Sequence, residues 1–374
     1  MSDSSPAGRS KPTDDPILGV PFGEAHRLLP GAGLAAAIVA ASAWAASTGK
    51  SPLPTATLAI VIGLVIANSL RLGPAFRPGL DFCVKRVLRF GIVLVGIRLS
   101  LVEVAEKGAA AVPAVLICVA AGMAVALLLA RRLGLSSRLG TLAAASTGIC
   151  GVTAALAVAP VVDAEEREVA YTVGCVTLYG LIGMLLYPFA AHALFGDAPA
   201  AAGLFLGTSI HETAQVTGAA LAYKDSWGSP EAFDAAMVAK LFRNATLVAV
   251  VPILGWVHAR GSGAAGRRTP LARLFPLFVL GFLGMAIFRT IGDAGIARGA
   301  PLGVLDLEEW KISTKLIEWL ATGACLPAAM AALGLGIRLA ALKDLGLRPL
   351  LLGAGAATAV ALAALACAAV VARL

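Results

Sequence analysis

The chain has 374 residues, of which 59% are hydrophobic and 14% charged, with a formal net charge of +8 and a mean hydropathy of +0.86. A soluble domain carries about 25% charged residues, so these few charges cannot cover a water-facing surface, and soluble enzymes and nucleic-acid-binding modules are excluded. At roughly 20 apolar residues per membrane helix, the chain reads as a polytopic, all-α membrane protein whose surroundings are the lipid bilayer.

In chain order, residues 1–30 are polar and carry no charged stretch leading into an apolar one, so a disordered cytoplasmic tail is expected ahead of a transmembrane domain over 31–374. Apolar runs then place eleven candidate spans at 31–47, 54–70, 87–101, 109–130, 140–160, 168–190, 200–222, 234–257, 273–290, 312–335 and 348–372. The third is short. The fifth and seventh are interrupted by glycine and polar residues, so each is read as discontinuous or re-entrant. The Gly-, Ser- and Arg-rich stretch 258–270 resembles a linker, and 291–311, with Asp306, Glu308, Glu309 and Trp310, suggests an amphipathic turn at the interface.

Cation placement orients the chain. With all eleven segments crossing and the N-terminus inside, eighteen Lys and Arg fall on the cytoplasmic side, among them Arg71, Arg77, Lys85, Arg86 and Arg89 in the second loop. Ten fall on the other side, and Lys240 and Arg243 lie within the eighth span. This bias predicts a cytoplasmic N-terminus and an external C-terminus. The six cysteines lack C-x-x-C spacing and are read as reduced apolar residues. The tetrapeptide G-I-R-L occurs at Gly96–Leu99 and again at Gly336–Leu339, leaving on opposite faces, as an inverted repeat would.

Polar residues deep in spans are functional candidates, and three stretches qualify. In the fifth span, Ser146, Thr147, Gly148, Ile149 and Gly151 put hydroxyls and glycines where a helix can break and offer a dipole end to an anion. A small-residue packing face is the competing reading. In the seventh, Gly207 to Gly218 includes Thr208, Ser209, His211, Glu212 and Gln215; as a continuous helix, Thr208, His211, Glu212 and Gln215 would share one face. His211 and Glu212 suit proton carriage, with a self-satisfied packing network as the alternative. H-E-T-A-Q lacks the second histidine of a zinc peptidase, so no metal and no cofactor is expected. In the eighth, Lys240, Arg243 and Asn244 suit an oxyanion, with Arg as a fork and Lys as a point charge. The competing reading is snorkelling to an interface. The acidic run Asp163, Glu165, Glu166, Glu168 is expected to cap the following helix on the outer face.

These motifs resemble a known family. F-G-I-V-L-V-G-I-R-L-S from Phe90, S-T-G-I-C-G-V-T-A-A-L-A-V-A-P-V-V from Ser146, G-T-S-I-H-E-T-A-Q-V-T-G-A-A from Gly207, A-K-L-F-R-N from Ala239 and M-A-A-L-G-L from Met330 follow the order found in YeiH-type proteins. These are bacterial inner-membrane proteins assigned to sulfate export, and the resemblance runs from about residue 31 to 374. It implies the cation–proton antiporter and anion transporter superfamily: inverted repeats, a scaffold and a core domain, broken helices crossing near the midplane, elevator-like movement, and homodimers in many members. The expectation is a secondary transporter of a small oxyanion, with sulfate favoured by the resemblance. The anion would lie against Thr147–Gly148–Ile149 and Thr208–Ser209, neutralised by Lys240 or Arg243, with His211 and Glu212 coupling a proton. An organic carboxylate or sulfonate, with or without Na⁺, is the second cargo class. An intramembrane enzyme using Cys150 or His211–Glu212 and a passive channel are the readings from other classes.

Overall fold

Within a bilayer only helices or closed barrels satisfy every backbone polar group, and the described residues form helices and no strand. The computed structural model describes residues 25–48, 53–262, 277–296, 301–338, 340 and 346–373. In order, the helices are α1 (Ala25–Ser47), α2 (Thr55–Ser69), α3 (Arg77–Phe82), α4 (Leu88–Val95), α5 (Leu101–Arg132), α6 (Ser137–Gly148), α7 (Val152–Val158) and α8 (Glu166–Phe195). They continue as α9 (Pro199–Ser209), α10 (Thr213–Trp227), α11 (Pro230–Ala245), α12 (Leu247–Ser262), α13 (Leu277–Ile296), α14 (Leu307–Trp319), α15 (Leu326–Gly336) and α16 (Leu347–Val371). Seven helices or stacked helix pairs among the described residues are long and apolar enough to cross a membrane. All eleven segments read from the sequence fall on helices in this order.

The third segment is longer than its apolar run. A π-helical turn (Cys83–Val87) welds α3 to α4, and a 3-10 turn (Gly96–Arg98) ends the rod. Lys85, Arg86 and Arg89, expected in a loop, are therefore helical. A second π-helical turn (Leu320–Cys325) joins α14 to α15, so both G-I-R motifs close a π-bulged rod, one on each face. Leu339, the last residue of the second copy, lies outside the described residues, as do 1–24 of the expected tail, 263–270 of the expected linker and 297–300 of the interfacial turn. Residues 25–30 open α1 instead of belonging to a tail, and 258–262 end α12. In the interfacial turn, Asp306 caps α14 and the Trp310 indole donates to Asp293 at 2.9 Å.

The fifth and seventh segments do not cross. At the start of α6 the Ser136 hydroxyl donates to Glu168, and Arg138 lies 3.8 Å from Glu165, so α6 and α8 begin on one face. Gly148, at the end of α6, packs on Val119 and Met123, midway along α5. Seven-residue α7 must then lead back to the face where α8 starts. The second hairpin mirrors it from the other side. Phe205 of α9 packs on Tyr187 and Phe195 near the end of α8, and His192 stacks on Trp227 at the end of α10 (ring centroids 4.5 Å apart). Gly203 and Gly207 of α9 face Ala232 and Ala236 of α11, so these two helices run parallel and start on one face. Both α6–α7 and α9–α10 are thus re-entrant hairpins, inserted from opposite faces, with tips meeting inside the molecule.

This corrects the topology drawn from cation counts, which treated both segments as crossings. The acidic run Asp163–Glu168 shares a face with Arg131, Arg132 and Arg138 rather than lying opposite them; it does cap α8, where the Glu165 N–H donates to Glu168 at 3.0 Å. Because two reversals cancel, α1 still starts and α16 still ends on opposite faces.

The helices pack in two groups. One holds α5–α12 and α16, including both hairpins; the other holds α1–α4 and α13–α15. Within the second group α2 and α15 meet backbone to backbone at Gly63 and Gly334: a Cβ on Gly63 would stand 2.6 Å from the Ala331 carbonyl, and one on Gly334 would strike that of Ile60. Small residues allow such approach where no hydrophobic force draws helices together. Gly334→Val is expected to destabilise the protein by about 1–3 kcal/mol, as overpacking does. Gly336→Ala, which faces open space, should leave it unchanged. Thermal unfolding of both variants in detergent checks this, and equal midpoints would refute it. Between the groups, Arg98 at the end of the α4 rod bonds Asp234 of α11 at 2.8 Å and also Glu318 of α14, and Glu318 lies 3.6 Å from Lys224 of α10.

Candidate functional site at the hairpin tips

A helix that stops inside a membrane leaves its last carbonyls without intrahelical partners, with a partial negative charge of about half an electron. Here two such ends, at Gly148 and Ser209, lie side by side, and the eighth segment supplies the cations for both. Lys240 and Arg243 sit three residues apart on α11, both fully buried. The Lys240 ammonium donates to the carbonyls of Ile149 (3.3 Å), Ile210 (3.1 Å) and His211. The Arg243 guanidinium donates to Gly148 (2.8 Å), Thr208 (2.7 Å), Ile210 (3.1 Å) and Thr147. Each cation therefore bridges both tips, and all three ammonium protons of Lys240 are engaged. Thr147, Gly148, Ile149 and Thr208 thus meet the cation pair through backbone oxygens.

The side chains of these residues point to local duties. The Ser146, Thr147 and Thr208 hydroxyls donate to carbonyls four residues back, at 2.7 Å each. This is the usual way a hydroxyl is satisfied in an apolar helix. Ile149 and Cys150 pack in an apolar cluster with Leu142, Ala154 and Val158. Gly151 adopts φ +65° and ψ −122°, a conformation essentially confined to glycine. A Cβ there would also strike the Glu212 carboxylate. That carboxylate crosses between the hairpins and accepts the Val152 N–H at 2.9 Å.

Thr208, His211, Glu212 and Gln215 do not share one helical face, because the helix breaks at Ile210–Glu212. Thr208 belongs to α9, His211 and Glu212 form the tip, and Gln215 turns to α8, donating to the Thr177 carbonyl at 3.0 Å. Asn244 reaches α10 at its first residue, donating to the Thr213 hydroxyl at 3.2 Å. Six buried side-chain polar atoms among the described residues lack a partner, and four belong to this site: Ser209 Oγ, His211 Nδ1, Gln215 Oε1 and Asn244 Oδ1. All four residues are at most 2% exposed. Buried polar atoms are nearly always satisfied, so four together set this region apart from the packed remainder.

Sequence reading missed Arg89. It lies on α4 and has Glu212 among its electrostatic neighbours. The signal was the third segment itself, too short to span, whose helix had to extend through the cations placed in the preceding loop.

The chain matches the family model described as "Conserved hypothetical protein 698" over residues 30–353. It is 35% identical to UPF0324 membrane protein RSc1111 of Ralstonia nicotianae, over 87% of this chain and 88% of that protein. The chain belongs to the UPF0324 membrane protein family. UPF0324 inner membrane protein YeiH of Salmonella typhimurium is 32% identical over 87% of this chain and 88% of its own length. UPF0324 membrane protein TauZ of Paracoccus pantotrophus is 35% identical over 64% of this chain and 70% of its own length. No solved structure matches. This UPF0324 protein is accordingly a polytopic helical membrane protein, and the match covers both hairpins and the Lys240–Arg243 helix.

Proposed function

We propose that this UPF0324 protein is a secondary-active transporter of a small oxyanion, with sulfate the favoured cargo, acting in a bacterial inner membrane with its N-terminus in the cytoplasm. One observation carries the reading: two hairpins inserted from opposite faces meet at a buried, cation-bearing tip layer that retains unpartnered polar atoms. Discontinuous helices ending at mid-depth are how secondary transporters expose backbone dipoles to a solute. The helix group carrying the hairpins would be displaced against α1–α4 and α13–α15, carrying the site between the two faces. Sulfate is favoured over other anions through the resemblance to sulfate exporters. Glu212 is the tip carboxylate and the proposed proton-coupling group. His211 precedes it in the tip, and Lys240, Cys150 and Arg89 are its electrostatic neighbours.

Purified protein in liposomes should accumulate labelled sulfate by counterflow against internal sulfate, saturably and faster with a pH gradient. Glu212→Gln should keep exchange and lose the gradient effect. Linear, non-saturating uptake without counterflow would indicate a channel, and no uptake of any anion in a panel including carboxylates and sulfonates would end the transporter reading.

A further inference from the structure

The cation bias that orients a membrane protein belongs to a whole face, yet here the two helix groups share it unevenly. On the face where α3 starts, the group without hairpins presents Arg27, Arg71, Arg77, Lys85, Arg86 and Arg338. Among the described residues Asp81 is the acid set between them, and Lys85 takes it at 3.2 Å. On the same face the hairpin-bearing group carries Arg131, Arg132, Arg138, Arg167 and Arg348, but it offsets them with Asp163, Glu165, Glu166 and Glu168. Re-entry of α6–α7 is what returns that acidic run to this side. One group therefore ends strongly basic and the other close to neutral.

Four helix ends gather the basic set. α1 and α3 cross near their starts, where a Cβ on Gly31 would stand 2.6 Å from the Leu80 nitrogen and one on Gly79 2.6 Å from that of Ala32. Asn68, at the end of α2, donates to the Ile337 carbonyl at 3.0 Å. This sets Arg338 beside the turn that carries Arg71 and leads into Arg77. With packed helix axes 8–10 Å apart, the four ends fit within about 20 Å. Arg27, Arg71, Arg77 and Arg338 are exposed, and among the described residues Arg71, Arg77 and Arg338 make no ion pair. Leu29 and Leu70 stand exposed beside Arg27 and Arg71. Lys85, about two turns deeper, can extend its ammonium to the same level.

Arginines at a membrane boundary with apolar side chains adjoining match one chemistry closely. A phosphodiester accepts the planar guanidinium fork through two oxygens, and the acyl chains below it lie along the leucines. We infer that Arg71, Arg77 and Arg338 form a binding site for the headgroup of an anionic phospholipid, and that it anchors the α1–α4 and α13–α15 group in its leaflet. The near-neutral end of the hairpin-bearing group has no such anchor. The lipid site stands apart from the transporter reading, whereas its meaning, an anchored group against which the other shifts, rests on that reading.

The test follows thermal unfolding of full-length protein in neutral detergent, titrated with phosphatidylglycerol, phosphatidylcholine or inorganic phosphate. Phosphatidylglycerol should raise the midpoint saturably and the other two should not. High salt should erase the rise, because about 1 M screens charges beyond roughly 3 Å. The triple variant Arg71→Gln, Arg77→Gln, Arg338→Gln should keep the lipid-free midpoint and raise the half-saturating phosphatidylglycerol concentration about a hundredfold, the summed weight of three surface cations. Arg338→Gln alone should raise it about fivefold. Arg131→Gln with Arg132→Gln should leave it unchanged. A native-like response from the triple variant would overturn the site, and an equal response to inorganic phosphate would overturn its assignment to lipid. Equal loss in the Arg131 and Arg132 variant would show that the whole face attracts lipid, and the division between the groups would fall. None of these readouts involves transport, so their failure leaves the transporter reading standing, and failed counterflow leaves the lipid site.

Discussion

Arg243→Ala is expected to unfold the tip layer and to abolish transport, with a stability loss of about 4 kcal/mol or more. The Arg243 guanidinium is the partner of four carbonyls drawn from two chain breaks, two at the end of the first hairpin's inbound helix and two in the second. Ile210 retains Lys240 in the variant, but Thr147, Gly148 and Thr208 would be left facing a cavity. Each buried acceptor left unsatisfied costs about 1–3 kcal/mol, and losses above 4 kcal/mol are confined to changes of this kind. Arg243→Lys should fall between the two, because an ammonium reaches fewer of the same oxygens than a five-donor fork. The measurement is thermal unfolding in detergent together with counterflow in liposomes. A native-like midpoint for Arg243→Ala would mean that the tips are held by something other than these bonds. Loss of transport with a native-like midpoint would instead place Arg243 on the cargo.

Breaking the ion cluster between the two helix groups should have the next largest effect. Arg98 joins the α4 rod to α11 through two bonds to Asp234, at 2.8 and 3.3 Å. Their side chains are only 8% and 11% exposed. Lys224 and Glu318 make a second bridge between the same helix groups at 3.6 Å, more open to solvent and of less weight. Arg98 and Lys224 also both lie 5.7 Å from the centre of the Phe233 ring. Removing one partner of a buried pair strands the other charge, so Asp234→Asn and Arg98→Gln should each destabilise by about 3 kcal/mol. The double variant should cost far less than the sum, with a coupling of about 1–3 kcal/mol. Because these bonds tie the hairpin-bearing group to the other, the single variants should also change the rate of exchange while leaving the half-saturating sulfate concentration alone. Additive stability losses would show that the pair does not act as a unit. A shift in sulfate affinity would place it in the binding site.

The candidate site was legible where composition alone marks it. Ser146, Thr147 and Gly148 in one segment and Thr208 and Ser209 in the other are polar or small where the surroundings are apolar, and a polar group in a membrane helix has to be explained. Lys240 and Arg243 stood out for the same reason. The partners these residues take were not legible. The hydroxyls look like ligands in sequence, yet they bond their own helices, and the oxygens that meet the cations are backbone carbonyls, which every residue carries. The one-face pattern of Thr208, His211, Glu212 and Gln215 presumed a helix that does not continue through Ile210–Glu212. Arg89 was counted with the preceding loop because hydropathy starts the third segment too late, although the helix already begins at Arg77 and runs through the cations.

The sequence alone determined that this is a helical membrane protein, which segments are embedded, and which few residues cannot face lipid, because transfer of charge and hydrogen-bonding groups into hydrocarbon is costly wherever the fold puts them. Only the tertiary structure decided that two segments turn back, since a broken helix that crosses and one that re-enters have the same apolar length and the same glycines. What distinguishes them is contact between residues distant in the chain: Arg138 beside Glu165 at one face, His192 on Trp227 at the other. The same reason places the cations, because whether a buried Lys or Arg meets a carbonyl, a carboxylate or a solute depends on what the neighbouring helices bring to it. The surplus charge was present in the composition from the start, and the packing of the two hairpins around α11 determines that Lys240 and Arg243 meet backbone carbonyls.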